Sequence, residues 1–448
     1  MLNLCKQLGD SMKLINKKIA SLSILLVISG CGSTISKQDS KIMLNGYQTG
    51  TYDSAVLLAE KNLGFYDEKT GKFLNVIPTK IENSLLHMDA AELHRMQGNY
   101  TRAIQHYNVV DEKLFQDQDR EFISTAYEPT PHEKILTNFY KSITFWANGD
   151  VDNARVEFNR ANERTRLAVM RYEAMINKER EKAKDKASAI STLNNNPQIN
   201  QLTNEWDVFD SFVNPTVTLI HSLYLASQNG VEDSTAKTLM DRVKDMLGDS
   251  ALPEHIYDYS DVKNNKVWIV TETGLGPRLD EKRLDVPIVW KEQPLILQMA
   301  FPEVKLMNNS VVLSNLTINN EVIDFYQLNT MEKLVKTELK KRMPAIVASQ
   351  GIQAIIKAAI QYRAQKEGKA AGFAALLLTS AATSADTTIW KMTPEVWNIS
   401  KIDNNVSNTL QLRYGNAIES IELPTGSAIV YIKQPTAQSK PLIEILKL

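Results

Sequence analysis

The chain has 448 residues, of which 23% are charged and 43% hydrophobic, and its formal net charge is −1. That is the profile of an ordinary globular protein, and it lacks the concentrated basic face that nucleic-acid binding needs. The length predicts two or three domains.

Lys13, Lys17 and Lys18 form a basic start, followed by the apolar stretch Ile19 to Ile28 and the small residues Ser29 and Gly30 before Cys31. This order describes a secretory signal peptide, and the apolar run is about half of the ~20 residues needed to span a bilayer. Met12 precedes a compact signal, so a start at residue 12 is also open. Ile28-Ser29-Gly30-Cys31 resembles the lipobox of bacterial lipoproteins. The resemblance implies cleavage before Cys31, a diacylglycerol on its sulfur and an acyl group on its nitrogen. Gly32 stands where an Asp commonly retains such proteins at the inner membrane, which implies the outer membrane, facing the periplasm. Residues 31–45 then form a lipidated tether. Residues 1–30 hold four lysines and one aspartate, so the mature chain keeps 47 basic and 51 acidic residues. The other cysteine, Cys5, leaves with the signal, so no disulfide or thiolate metal site is expected.

From 46 to 260 the pattern is helical. Three segments share a Gly-x-(Tyr/Val)-x-x-Ala pattern: Gly50, Tyr52, Ala55; Gly98, Tyr100, Ala103; and Gly149, Val151, Ala154. Tyr107 and Phe158 follow the second and third, and Ala161 follows Phe158. Glycine ends one helix and permits a tight turn, the next large residue seats the second helix, and a small Ala lets the pair approach. The pattern resembles the second half of a tetratricopeptide repeat. The preceding segments carry Leu85, Leu86, Ala90, Leu93 and Met96, then Leu136, Phe139, Tyr140, Ile143 and Trp146, at helical spacing. The glycines lie 48 and 51 residues apart against about 34 for that repeat, so the units are degenerate, with an insertion at Gln116 to Glu133. A long helix is predicted over 153–190, with a solvated charged run at Lys178 to Lys186. Asn194-Asn195-Asn196-Pro197 breaks it, and helices resume after Asn214-Pro215 and over 234–247.

From 265 the period changes to that of strands. These are predicted at 267–271, 284–289, 295–301, 311–318, 321–325, 409–414, 420–423, 428–432 and 443–448. Helices at 331–343 and 346–366 and the small-residue segment Ala370 to Ala382, read as a buried helix, interrupt them. The predicted fold class is α+β: an N-terminal α-solenoid of tetratricopeptide-like helix pairs, then a β-sandwich-like domain over 261–448 with a helical insertion at about 331–383.

Several fragments together resemble a poorly characterised family of outer-membrane lipoproteins with tetratricopeptide-like repeats. They are Tyr127 with Pro131-His132-Glu133, Asn138-Phe139-Tyr140, Gly149-Asp150 with Ala154 to Glu157 and Arg160-Ala161, Asn214-Pro215, Glu272 to Arg278, and Ala385-Asp386 with Trp390 and Pro394. The resemblance implies localisation and fold, and no activity.

Catalytic motifs are not evident. His132-Glu133 is followed at the zinc-protease position by Leu136 rather than a histidine, and the six histidines show no ligand spacing. Gly274-Leu275-Gly276-Pro277 has too few glycines for a phosphate loop. No metal or cofactor besides the lipid is expected. His132, Glu133, Arg155, Glu272 and Arg278 stand as a candidate interaction cluster. Glu272, Arg278, Asp280 and Glu281 are expected on one strand-to-strand loop, and His132, Asn138 and Arg155 in one polar network. The reading is a non-enzymatic periplasmic scaffold that binds envelope proteins through its repeats, with peptidoglycan synthases as partners by analogy. A structural subunit of an envelope-spanning assembly and an enzyme with an unrecognised site are the alternatives. Cys31→Ser should accumulate uncleaved and leave the membrane fraction; a variant that fractionates like wild type contradicts the lipobox.

Overall fold

The computed structural model describes residues 35–75, 83–116, 127–182, 191, 193–248, 252–290, 293–307, 316–318, 321–367, 384–404 and 409–448. The lipobox Ile28 to Cys31, residues 183–186 of the charged run and the Ala370 to Ala382 segment lie outside them, as do residues 117–126 of the insertion. The fold mixes helix and sheet, as an α+β chain should.

Four antiparallel helix pairs open the described chain: α1 (Lys37–Thr49) with α2 (Tyr52–Asn62), α3 (Ser84–Met96) with α4 (Tyr100–Gln116), α5 (Pro131–Ala147) with α6 (Val151–Lys182), and, after the short α7 (Pro197–Asn200), α8 (Pro215–Asn229) with α9 (Ser234–Leu247). A two-stranded hairpin, β1 (Tyr66–Asp67) and β2 (Lys72–Phe73), follows the first pair. The pairs turn where glycine permits a left-handed backbone. Gly98 and Gly149 have φ of +75° and +84°. The amide of Asn99 reaches the carbonyl of His94 at 2.9 Å and that of Asp150 reaches Phe145 at 2.9 Å, closing the last turn of each first helix. Ala55, Ala103 and Ala154 are buried between the paired helices. Between α1 and α2 the approach is close at Gly46, where an added Cβ would lie 2.8 Å from the Ala55 Cβ.

After the short helix α10 (Glu254–Tyr257), strands β3 (Lys266–Thr273), β8 (Tyr326–Thr330), β9 (Val396–Asp403), β12 (Ala428–Gln434) and β13 (Leu442–Lys447) form a five-stranded sheet ordered β13-β12-β3-β9-β8. Only the β12–β3 pair is parallel. Side chains alternate across it. Val267, Ile269, Val430 and Ile432 pack against a four-stranded sheet of β11 (Ala417–Glu422), β10 (Thr409–Tyr414), β6 (Leu316–Ile318) and β7 (Glu321–Val322). The opposite face carries Trp268, Val270, Trp397, Ile399, Ile429 and Tyr431, and it merges with the helical core of Tyr47, Leu93, Phe139, Tyr140 and Tyr224. One hydrophobic core therefore crosses the boundary expected near residue 260.

A long hairpin, β4 (Arg278–Trp290) and β5 (Gln293–Lys305), packs Val286, Leu297, Met299 and Phe301 on Met343, Val347 and Ile355 of α11 (Met331–Glu367). Sequence spacing predicts two helices here, with a break near Pro344, but α11 runs through the proline. Its flanks Met343, Ala345, Val347 and Ala348 are buried, and that packing outweighs the ~3 kcal/mol cost of an interior proline. Strand β9, central in the sheet, was not predicted, because Asn398, Ser400 and Lys401 interrupt its apolar alternation.

The helical and strand layers are joined by a fully buried charge network. Lys433 on β12 sits 2.6 Å from Glu92 on α3 and 3.2 Å from Glu272 on β3, and Arg95 on α3 meets Glu444 on β13 at 2.5 Å. Tyr107 bonds Glu92, Tyr431 bonds Glu272, and the Trp397 indole donates to Glu272 at 2.8 Å. The Lys433 ammonium and the Arg95 guanidinium lie 4.3 and 4.9 Å from the Tyr140 ring centre. Burial resists ionisation of Glu92, but Lys433 and Arg95 hold its carboxyl below the usual range. Removing one partner of such a set leaves unpaired buried charge, which costs about 3–5 kcal/mol. Lys433→Met, which removes the cation shared by Glu92 and Glu272, should therefore lose about 3–5 kcal/mol in urea unfolding; a loss below about 1 kcal/mol, the range of an exposed pair, would contradict the network's role.

Candidate functional site

First helices of the pairs face the sheet. The Tyr47 hydroxyl on α1 donates to the Met392 carbonyl at 3.2 Å, α3 carries Glu92 and Arg95, and on α5 Phe139 packs edge-on against Tyr431 and Tyr140 against Trp390. On the fourth pair, Asn329 at the sheet edge reaches Asn214, the residue capping α8, at 3.4 Å. These helices thus pack against the chain's own sheet and the 390–392 segment.

A groove of about 1360 Å³ opens between α1, the start of α3, the segment 127–134, α6 and the segment 386–392. Its apolar lining includes Leu44, Leu85, Leu167 and Ile389. Six cationic side chains line it, Lys37, Lys41, Lys134, Arg164, Arg342 and Lys391, against the acids Asp89, Glu128 and Asp386. Lys134 bonds Glu128 at 2.6 Å and Arg164 bonds Asp111 at 3.2 Å, whereas Lys37, Lys41 and Lys391 are exposed.

Glu133 fastens the groove's wall. At the third position of α5 it accepts from the Thr130 amide at 2.7 Å, as a helix-capping Glu should. The same carboxylate takes the Tyr127 hydroxyl at 2.5 Å and the Trp390 amide at 2.6 Å. Two fragments distant in sequence, the 127–133 segment and Trp390, meet through this one buried side chain. His132 beside it pairs with Glu338 of α11 at 2.6 Å; burial opposes its charged form, but Glu338 raises its pKa above the ordinary value.

Asp89 lines the groove and is half-buried, with Lys391 and Trp390 acting on its carboxyl. Burial pushes that carboxyl up to about 7, against the pull of Lys391 and Trp390.

The candidate interaction cluster does not assemble. Glu272 is buried at the centre of the sheet. Arg278 is exposed on β4, paired to Asp280 at 3.2 Å, and Glu281 pairs with Arg283 at 2.7 Å, so the expected four-residue loop cluster is split between core and surface. The predicted network of His132, Asn138 and Arg155 also separates. Asn138 bonds Glu157 at 2.8 Å and Asp111 at 3.1 Å, while Arg155 is exposed beside Asp152. Its position on α6 points away from α5, whose buried polar partner is instead Glu157. Tyr52 is buried with its hydroxyl on the Lys440 carbonyl at 2.7 Å, and Tyr100 and Val151 are half-buried at the starts of α4 and α6.

The histidines are less scattered in space than in sequence. His87, His94 and His106 come together with Glu60, because α2 turns Glu60, α3 turns both His87 and His94, and α4 turns His106 into a shared pocket. Sequence reasoning missed this group and Asp89. The signal present was several charged or imidazole side chains, Asp89, Glu92, His94 and Arg95, within an otherwise apolar helix.

The chain matches no family model, no curated protein and no solved structure.

An acid with a raised folded pKa keeps a proton that the unfolded chain has released between about pH 4 and 7, so it subtracts stability as pH rises through that window. Asp89→Asn should accordingly raise the melting temperature at pH 8 and leave it nearly unchanged at pH 4. Equal shifts at both pH values in thermal melts would contradict the proton-holding carboxyl.

Proposed function

We propose that the chain is a lipid-anchored scaffold of the cell envelope, non-enzymatic, that holds a segment of a partner protein in the groove between α1, the 127–134 segment and residues 386–392. The helix pairs are read as degenerate tetratricopeptide-like repeats of an α-solenoid; glycine turns with left-handed backbone and small residues between paired helices support that reading. In such arrays the inner surface usually takes the partner. Here that surface is covered by the five-stranded sheet, which moves the docking surface to the groove.

The observation that carries the reading is the groove itself: about 1360 Å³, mixed apolar and polar walls, and exposed cations at its rim. Apolar walls with a few polar groups suit an extended or helical segment, and excess positive charge suits a segment bearing carboxylates. Among the described residues no helix is long and apolar enough to cross a membrane, so the lipid on Cys31 is the proposed attachment. Envelope proteins are the proposed partners, peptidoglycan synthases among them by analogy with other repeat-bearing lipoproteins.

A photo-crosslinking side chain at Thr388, on the groove, should capture an envelope protein in living cells. The same group at Asp245, exposed on α9, should not, and Lys41→Glu with Lys391→Glu should lower the yield at Thr388. Equal capture from both positions, or none from Thr388, contradicts the groove as the docking surface.

A further inference from the structure

Away from the groove, α2, α3 and α4 enclose a second polar pocket. Glu60 Oε1 lies 2.8 Å from His94 Nε2 and 3.2 Å from His106 Nε2, and all three side chains are fully buried. The rings of His94 and His106 stack with centres 5.5 Å apart. Among the described residues this is where three metal-binding side chains converge, each offering one donor atom within 4.8 Å of the others. We propose that Glu60, His94 and His106 form a binding site for a divalent transition-metal ion of the zinc class, with Glu60 Oε1 and the two Nε2 atoms as ligands.

The donor set fits. Imidazole and carboxylate suit zinc, at metal–ligand distances of about 2.0–2.2 Å. A tetrahedral ion then needs its donors about 3.3 Å apart, and the separations of Glu60 Oε1 from the two imidazole nitrogens, 2.8 and 3.2 Å, lie within a few tenths of an ångström of that. Protonation is also right. Burial pushes the His106 imidazole down to about 4, so its neutral, ligating form prevails at pH 7. Burial resists ionisation of Glu60, but Arg102, His106 and His94 hold its carboxyl well below the usual range.

The outer contacts orient the ligands. His106 Nδ1 lies 3.1 Å from His87 Nδ1, to which it can donate its ring proton, leaving Nε2 its lone pair for the ion, as ligating histidines are ordinarily held. His94 Nδ1 instead accepts from the Asn99 amide nitrogen at 3.5 Å, so ligation by His94 Nε2 requires its ring proton to leave, or the Asn99 amide to turn its oxygen toward a protonated Nδ1. Arg102 bonds both oxygens of Glu60, at 2.7 and 2.8 Å. Its Nη1 is already anchored to the Leu74 carbonyl at 2.8 Å and the Gln105 side chain at 2.9 Å. The guanidinium can therefore keep Oε2 while Oε1 turns to the ion. Three protein ligands leave the fourth corner to water. Phe73, on the exposed β1–β2 hairpin, packs edge-on against His94 at 5.9 Å, which makes that hairpin the cover of the site.

The full chain, purified in detergent and stripped with EDTA, is titrated with ZnCl₂ by calorimetry and with CoCl₂ by visible spectroscopy. One ion per chain is expected, with the intense visible bands of four-coordinate Co²⁺. His94→Gln and His106→Gln should each bind more than roughly 100-fold more weakly, beyond the 10–100-fold that loss of an outer-shell partner costs. His221→Gln, at a buried histidine elsewhere, should bind as wild type. No uptake of Zn²⁺ or Co²⁺ by the wild-type chain, or unchanged affinity in His106→Gln, overturns the site and leaves a hydrogen-bonded core network only. Should the glutamine variants fail to fold by circular dichroism, the wild-type Co²⁺ spectrum decides: four-coordinate bands support the site, and the weak absorption of a six-coordinate aqueous ion overturns it.

Discussion

Two cations and three carboxylates, all withdrawn from water, hold the helices to the sheet. Glu92 and Arg95 come from α3; Glu272, Lys433 and Glu444 come from three adjacent strands. Glu92 and Arg95 of the helices are met by Lys433 and Glu444 of the sheet, so the helical layer cannot keep its charges buried without the strands, while Glu272 is held within the sheet by Lys433, Tyr431 and Trp397. Burial pushes the Glu444 carboxyl up although Arg95 draws it back, which is the expected strain where carboxylates outnumber cations. Apolar residues around this network supply the bulk of the burial energy, and the charged groups fix which surface meets which.

That constraint decides where function can sit. The side of the helix pairs that meets the sheet is filled by Trp397, Tyr431 and Lys433. What stays open is the edge where α1, the capped start of α5 and the 386–392 segment fail to close over one another. Glu133 ties the wall of that opening together, since it binds Tyr127, Thr130 and Trp390. The polar pocket around Glu60 lies on the other side of α3. Thus α3, which is buried nearly all round, divides its charged side chains among the groove, the sheet and the proposed metal site.

Much of the fold could be read from the sequence, and the reasons are local. Gly50, Gly98 and Gly149 must be glycine to turn left-handed, and the neighbouring alanines must be small, so the helix pairs were visible. Strands β3 and β12 are nearly continuous apolar runs, as doubly covered strands should be. Their pairing was not visible, because parallel contact between Val267 and Ala428 depends on the whole chain between them. α3 misled for a related reason. Its apolar residues have helical spacing, which predicts a solvated opposite side, yet Glu92, His94 and Arg95 lie fully buried on partners far away in sequence. The expected cluster of Glu272 with Arg278 failed because sequence proximity does not tell a strand's buried face from the exposed start of the next strand.

The central claim is that the helix pairs and the five-stranded sheet are one cooperative unit, joined through buried charge. Native-state hydrogen exchange, followed by mass spectrometry in wild type and Lys433→Met, tests it most directly. The account predicts that amides of α3, α5, β3 and β12 open with a common free energy, and that the substitution lowers all four together. Loss of protection confined to β12 and its strand neighbours, with α3 and α5 unchanged, would show two independent units and contradict it.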